Sequence, residues 1–161
     1  VEIAGSIHVT QDDERFFSNL FLGGNATSAY DEHNITITSA GNVFLGGSKP
    51  SEHDASPIEA GTFDHGTKLE RADDGWWLEM NLDPSWQADL KRSPVTSGLL
   101  GKAAVPDARF ENRDGTPYRI DRDYFGKARD MDNPAPGPFQ TEGKTELRQR
   151  VWPKDNVQEK Q

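Results

Sequence analysis

The densest run of carboxylates is Asp12-Asp13-Glu14, and a second pair, Asp121 and Asp123, flanks an arginine. Oxygen-rich groups of this kind suit Ca²⁺, which takes about six to eight oxygen ligands. Neither run has EF-hand spacing, so both read first as hydrogen-bonded turns, with Asp13 or Glu14 pairing Arg15. Calcium is the one cofactor left open. Four histidines, His8, His33, His53 and His65, are scattered along the chain. His53-Asp54 and Asp64-His65 offer Asp–His neighbours, but zinc needs three or four ligands at defined spacing, and no His-Glu-x-x-His pattern occurs. No metal ligand is assigned. Trp76, Trp77 and Trp86 present flat apolar rings of the kind on which pyranoses stack. Asn25-Ala26-Thr27 and Asn34-Ile35-Thr36 are glycosylation sequons, for which chance occurrence is the better explanation.

The elements that position these residues begin with a repeat. Asn19-Leu20-Phe21-Leu22-Gly23-Gly24 recurs 23 residues later as Asn42-Val43-Phe44-Leu45-Gly46-Gly47. Each copy is a short β-prone run closed by a Gly-Gly turn. A strand-plus-turn unit returning at this spacing suits one coil of a parallel β-solenoid; two similar hairpin strands are the alternative. In a solenoid Leu20 lies over Val43 and Leu22 over Leu45, and Asn19 and Asn42 stack as an amide ladder. Val1–Val9 and Ile35–Thr38 read as further strands, giving two or three rungs. After Lys49 the period is lost, and Ser48–Asp64 reads as polar and turn-rich.

Trp76 to Leu82 alternates, with Trp76, Leu78, Met80 and Leu82 on one face and Trp77, Glu79 and Asn81 on the other. Lys68–Arg71 is the expected hairpin partner across Asp73-Asp74-Gly75. On this pattern Trp76 belongs to the core, while Trp77 faces outward. Asp83-Pro84 opens one short helix over 85–90. Asn133–Pro138 is too proline-rich for regular structure, and Leu147–Trp152 reads as a last strand. The expected organisation is terminal rungs over 1–50, a wrapping extension over 51–152 with a β-hairpin and one short helix, and a polar tail over 153–161. The fold class is all-β.

Composition narrows the possible partners. The 161 residues carry 18 basic and 27 acidic side chains, a net charge of −9, which argues against nucleic acid or an anionic membrane surface. No apolar run is long enough for a membrane-spanning helix. The absence of cysteine removes disulfides, thiolate nucleophiles and cysteine-based zinc sites. Only 33% of residues are hydrophobic, while 15 glycines and 10 prolines point to a loop-rich chain with a thin core. That is what the end of a longer solenoid would show, so Val1, which is not an initiator Met, reads as a processed start or a cut through a larger protein.

Several stretches resemble a known family. They are Asp12–Phe21, Gly41–Leu45, Leu99–Ala103, Pro117–Lys127 and Asn133–Phe139. Together they look like the C-terminal region of right-handed parallel β-helix glycosidases, close to the β-xylosidases of glycoside hydrolase family 120. The resemblance implies a retaining glycoside hydrolase acting on an oligosaccharide or a plant or algal polysaccharide, in a secreted or periplasmic setting. Such enzymes use a nucleophilic and an acid/base carboxylate about 5–5.5 Å apart. In the family these lie in an Asp beside aromatics and a Glu before Asn-His-Gly, and neither motif occurs in this sequence. Catalysis is therefore expected upstream on the same polypeptide. Relatives also carry a longer His-containing segment where Thr10-Gln11 stands in this chain.

The resulting expectation is a chain that caps the solenoid and supports the cleft, with His8 and Trp77 as substrate-contact candidates and no catalytic residue of its own. The alternatives are a non-catalytic carbohydrate-binding module using Trp77, and a structural end cap without sugar contact.

Overall fold

The computed structural model describes residues 13–33 and 37–154. The N-terminal part contains β1 (Glu14–Phe17), β2 (Leu20–Leu22), a 3₁₀ helix (Ala26–His33), β3 (Ile37–Ala40), β4 (Val43–Leu45) and β5 (Ile58–Ala60). β1 pairs parallel with β3, Glu14 opposite Ile37 through Phe17 opposite Ala40. β2, β4 and β5 form a parallel three-stranded sheet.

The register is the one the repeat predicts. Leu20 lies against Val43, Phe21 against Phe44 and Leu22 against Leu45. The same offset governs β1 and β3, where no sequence identity marks it. The amide ladder is present too: Asn42 Oδ1 accepts from Asn19 N at 2.8 Å and from Asn19 Nδ2 at 3.0 Å. Both Gly-Gly corners take positive φ, 79° and 73° at Gly23 and Gly24 and 57° and 81° at Gly46 and Gly47. A side chain at these positions would strain the turn that ends each strand. Phe21 and Phe44 stack in parallel at 5.0 Å, Phe16 meets the edge of Phe21, and Tyr30 of the 3₁₀ helix closes on Phe16.

The stacking runs past residue 50, beyond the boundary that the loss of the 23-residue period suggested. β5 places Ile58 against Val43 and Ala60 against Leu45, and Asp54 bridges Ser39 in parallel, 15 residues on. The connection after β4 is shorter than the one before it, so the ladder continues while the sequence period does not.

β6 (Lys68–Ala72) and β7 (Gly75–Asn81) form the expected hairpin, and β10 (Glu146–Trp152) pairs antiparallel with β7 on its other side. Between them lie α1 (Ser85–Ala88), α2 (Ser97–Leu100), and the two-residue strands β8 (Lys102–Ala103) and β9 (Ala108–Arg109). The single predicted helix is thus two α-helical turns, besides the 3₁₀ helix. Asp83 Oδ1 accepts from Ser85 N at 2.9 Å at the start of α1, and Thr96 Oγ1 accepts from Leu99 N at 3.3 Å at the start of α2. No helix among the described residues is long and apolar enough to cross a membrane.

One apolar cluster joins the parallel stack to the later hairpin. Val43 and Leu45 from β4 meet Met80 and Leu82 from the β7 segment and Trp86 from α1. Trp86 is buried and packs edge-on against Phe63 at 5.1 Å. Trp76, expected in the core, is 39% exposed, because the cluster covers the far end of β7 and stops short of Gly75–Trp76. The proline-rich segment has no regular structure but is packed, with Ala135 completely buried and Gly137 N donating to Ser18 O at 2.7 Å. Arg15 ties the stack to the chain after α2, donating from Nε to Leu100 O and from Nη2 to Lys102 O.

Candidate functional site

β7 holds Trp77 between Glu70 of β6 and Arg150 of β10, on the face opposite Met80. Its Nε1 donates to Asp74 Oδ1 at 2.9 Å, which fixes the ring over the hairpin turn. That hydrogen bond holds the exposed Asp74 carboxyl below its ordinary value, with Arg150 and Arg148 adding in the same direction. The Arg148 guanidinium lies 4.4 Å from the ring centroid and is itself held by Glu79 at 2.5 Å. Trp77 is therefore an oriented, half-buried indole with a cation over the ring. A pyranose stacking on this ring would have to compete with Arg148 for it.

His8, Asp12, Asn34 and Thr36 lie outside the described residues. Asp13 has both oxygens engaged, Oδ1 with Arg15 at 2.6 Å and Oδ2 with Ala104 N at 2.7 Å. Asp123 is a hydrogen-bonded turn: Oδ1 accepts from the backbone N–H groups of Phe125 and Lys127, and Oδ2 from that of Gln140. Asp121 faces Arg119 at 3.6 Å. The Asp–His neighbours do not form dyads. Asp54 turns inward to Ser39 Oγ at 2.5 Å and Asn42 Nδ2 at 2.8 Å, and His65 Nδ1 pairs with Thr67 Oγ1 at 2.8 Å. In the first sequon Thr27 is 1% exposed, and its Oγ1 accepts from Ser51 N at 2.9 Å, so this hydroxyl is part of the packing.

Sequence reasoning missed one grouping. Among the described residues, Asp31, Glu52 and His53 bring three ligand atoms within 4.8 Å of one another. The Asp31 oxygens already accept from Ser51 Oγ at 2.5 Å and Glu52 N at 3.1 Å, so they serve the local turn first. No spacing motif could have found it, because Asp31 comes from the 3₁₀ helix and the other two from the loop before β5.

Two clefts of about 310 Å³ flank the stack and the later sheet. The first is lined by Phe17, Asn19, Leu20, Arg129, Pro134 and Pro138 among others, with no carboxylate among the described residues. The Arg129 Nη atoms donate to Ala135 O and Gly137 O, and burial lowers its pKa. It fastens the proline-rich segment rather than offering a free cation. The second cleft includes Asp123, Lys127, Lys144 and Gln149, and Asp123 is its one carboxylate among the described residues. Among the described residues, neither cleft therefore supplies the pair of carboxylates that glycoside hydrolysis needs.

No protein-family profile matches the chain, and no curated protein matches it. Its structure is similar to a solved one described as the complex of XylC with xylose, with a TM-score of 0.74 and 21% identity. The likeness covers 87% of this chain and 26% of that one, so the chain spans about a quarter of the length of its structural neighbour. At this identity the similarity is one of fold: mostly strands, few helices, arranged as in that part of XylC.

Proposed function

We propose that this chain is the C-terminal portion of a right-handed parallel β-helix glycoside hydrolase of the xylosidase type, in which residues 14–60 are terminal rungs and the remainder is a wrapping extension. Its role is to close the solenoid and brace the cleft wall, and the nucleophile and acid/base carboxylates come from the preceding part of the same polypeptide. The observation that carries this reading is the in-register parallel stacking of β1 on β3 and of β2 on β4, set in a fold shared with a quarter of XylC. Among the described residues β2 pairs on one side only, and Leu22 on it is 46% exposed, which suits a strand that receives another rung.

The substrate of the complete protein would be a xylose-containing oligosaccharide or polysaccharide met outside the cytoplasm. Trp77 and His8 are the residues of this chain proposed to reach it. The deciding experiment measures release of the aryl group from an aryl β-xyloside by the 161-residue chain and by the same chain joined to its upstream coding sequence. The longer protein should turn over and the chain alone should not; turnover by the chain alone overturns the reading. The Trp77 contact is checked by titrating xylo-oligosaccharide while following tryptophan fluorescence. A response retained in Trp77→Ala removes this residue from the site.

A further inference from the structure

β6 is the outer strand of its sheet. β7 pairs with it on one side, and among the described residues no strand pairs on the other. Every residue from Lys68 to Asp74 is exposed. Ala72 faces Gly75 across the two-residue connection Asp73-Asp74, and so short a loop is closed by a hydrogen-bonded pair. Alternation then gives Glu70 and Lys68 the bonds to β7, and turns the N–H and C=O groups of Leu69 and Arg71 outward.

The side chains of this edge are unengaged as well. Lys68, Glu70 and Arg71 form no ion pair among the described residues, and Leu69 is 59% exposed. On one face of the sheet the row Arg148, Glu79, Lys68 alternates in sign from β10 through β7 to β6, with Arg148 and Glu79 already paired at 2.5 Å. The row stops at the edge on a cation. The next row of the same face, Trp77 and Glu70, stops there on a carboxylate, and on the opposite face Leu78 is followed by Leu69. Charges guard an edge when they meet their own sign across it, but this edge carries both signs two residues apart.

Two identical edges that pair antiparallel about a two-fold axis must set outward-bonding residues against each other, so the axis passes through a residue. Centred on Lys68, Glu70 or Arg71, the axis opposes that charge to itself. Centred on Ala72, it opposes Glu70 to Asp74. Centred on Leu69, it sets Lys68 of each copy opposite Glu70 of the other and Leu69 opposite Leu69. The charged row then continues across the junction as Arg148, Glu79, Lys68, Glu70, and the leucines form one row from Leu78 to Leu78. Charge selects this register.

We propose that two copies of this chain pair edge to edge through β6, antiparallel and centred on Leu69, so that their two three-stranded sheets become one. Each Leu69 N–H donates to the other copy's Leu69 O, and each Arg71 N–H to the other copy's Thr67 O. The contact is a short edge, at the small end of specific interfaces (below about 1,200 Å²), so the dimer is reversible. It is independent of the xylosidase reading, which uses neither β6 nor this edge.

The test is sedimentation equilibrium from roughly 1 μM to 1 mM, on the 161-residue chain and on the same chain joined to its upstream coding sequence. In both, the mass should rise with concentration towards twice that of the monomer. Lys68→Glu sets like charges against each other on both sides of the axis and should raise the dimer Kd about tenfold or more; Glu70→Lys should do the same. The double variant Lys68→Glu with Glu70→Lys restores the opposed pairs and should recover the original Kd within about threefold. Circular dichroism checks that each variant is folded; where Lys68→Glu is not, because that position also faces Glu79, Glu70→Lys carries the test. A chain monomeric at every concentration overturns the proposal. So does a Kd unchanged in both single variants, a double variant no better than they are, or a dimer lost when the upstream polypeptide is present.

Discussion

Asn42 should be the most consequential polar residue of the stack, and its replacement by alanine gives a sharp test of how the rungs hold together. The side chain is completely buried. Its Oδ1 receives both the backbone and the side-chain N–H of Asn19, and its Nδ2 faces Phe16 O at 2.9 Å, Ser39 Oγ at 2.8 Å and Asp54 Oδ2 at 2.8 Å. One amide therefore ties together three successive layers. Asn42→Ala leaves the Asn19 N–H and the Phe16 carbonyl without these partners and takes one donor from the Asp54 carboxylate. Each such orphan costs about 1–3 kcal/mol, and because they share one network the sum is about 3–5 kcal/mol rather than three full penalties. For a chain of this length that is a fall in Tm of roughly 10 °C. Asn19→Ala is the control. It removes a single hydrogen bond from a half-buried side chain and leaves Asn42 Oδ1 its backbone donor, a loss of about 0.5–1.5 kcal/mol. Urea unfolding followed by far-ultraviolet circular dichroism measures both. Equal losses for the two variants would refute the reasoning, since Asn42 would then be one ladder member among others rather than the node.

Two further outcomes follow from local geometry. Gly75 has φ 140°, and a Cβ there would lie 2.0 Å from Trp152 O, so Gly75→Ala should push β10 off β7 and cost more than about 3 kcal/mol by the same denaturation assay. The folded-state value of Asp74 lies below its ordinary 3.8, with the Trp77 hydrogen bond as the main cause. Its contribution is therefore present above about pH 4 and lost as pH falls through the folded value, so the Tm gap between wild type and Trp77→Phe should narrow on acidification; a gap independent of pH would separate Asp74 from Trp77.

Legibility in the sequence followed the strength of the local signal. The two Gly-Gly copies name their own register, because the positive-φ corner demands glycine and the strand before it demands alternating apolar groups; Leu20 on Val43 and the Asn19–Asn42 ladder could be read from spacing alone. β1 on β3 carries the same offset with no matching residues, since Phe17 meets Ala40 and Arg15 meets Thr38. β5 was hidden for a different reason. Its loop is shorter, its corner is Gly61 without a second glycine, and only Ile58 and Ala60 continue the apolar column. The hairpin was legible from its turn and alternation, but alternation says nothing of how far along a strand its partner reaches, which is why Trp76 was misplaced. The site residues fared similarly. The outward face of Trp77 was legible from alternation, whereas Arg148 over its ring comes from a strand far along the sequence.

The thin apolar composition also takes a different explanation from the one the sequence suggested. Beside Val43, Phe44 and Leu45, the described interior buries Thr27, Ser39, Asn42, Ser48, Ser51 and Asp54. These residues bond one layer to the next: Ser48 Oγ reaches Phe21 O and Leu45 O, Ser51 N donates to Thr27, and Asp54 receives Ser39 and Asn42. At the bends the backbone turns inward and leaves N–H and C=O groups that no ladder satisfies, so short polar side chains occupy positions that a sandwich or a helical bundle would fill with Leu or Ile. A low hydrophobic fraction is thus a property of a stack with many bends, whatever its length. It also sets what such a stack tolerates, because an apolar replacement at Asn42 adds hydrophobicity and still orphans the Asn19 N–H and the Phe16 carbonyl, and one at Ser39 takes a donor from the buried Asp54 carboxylate of the next layer.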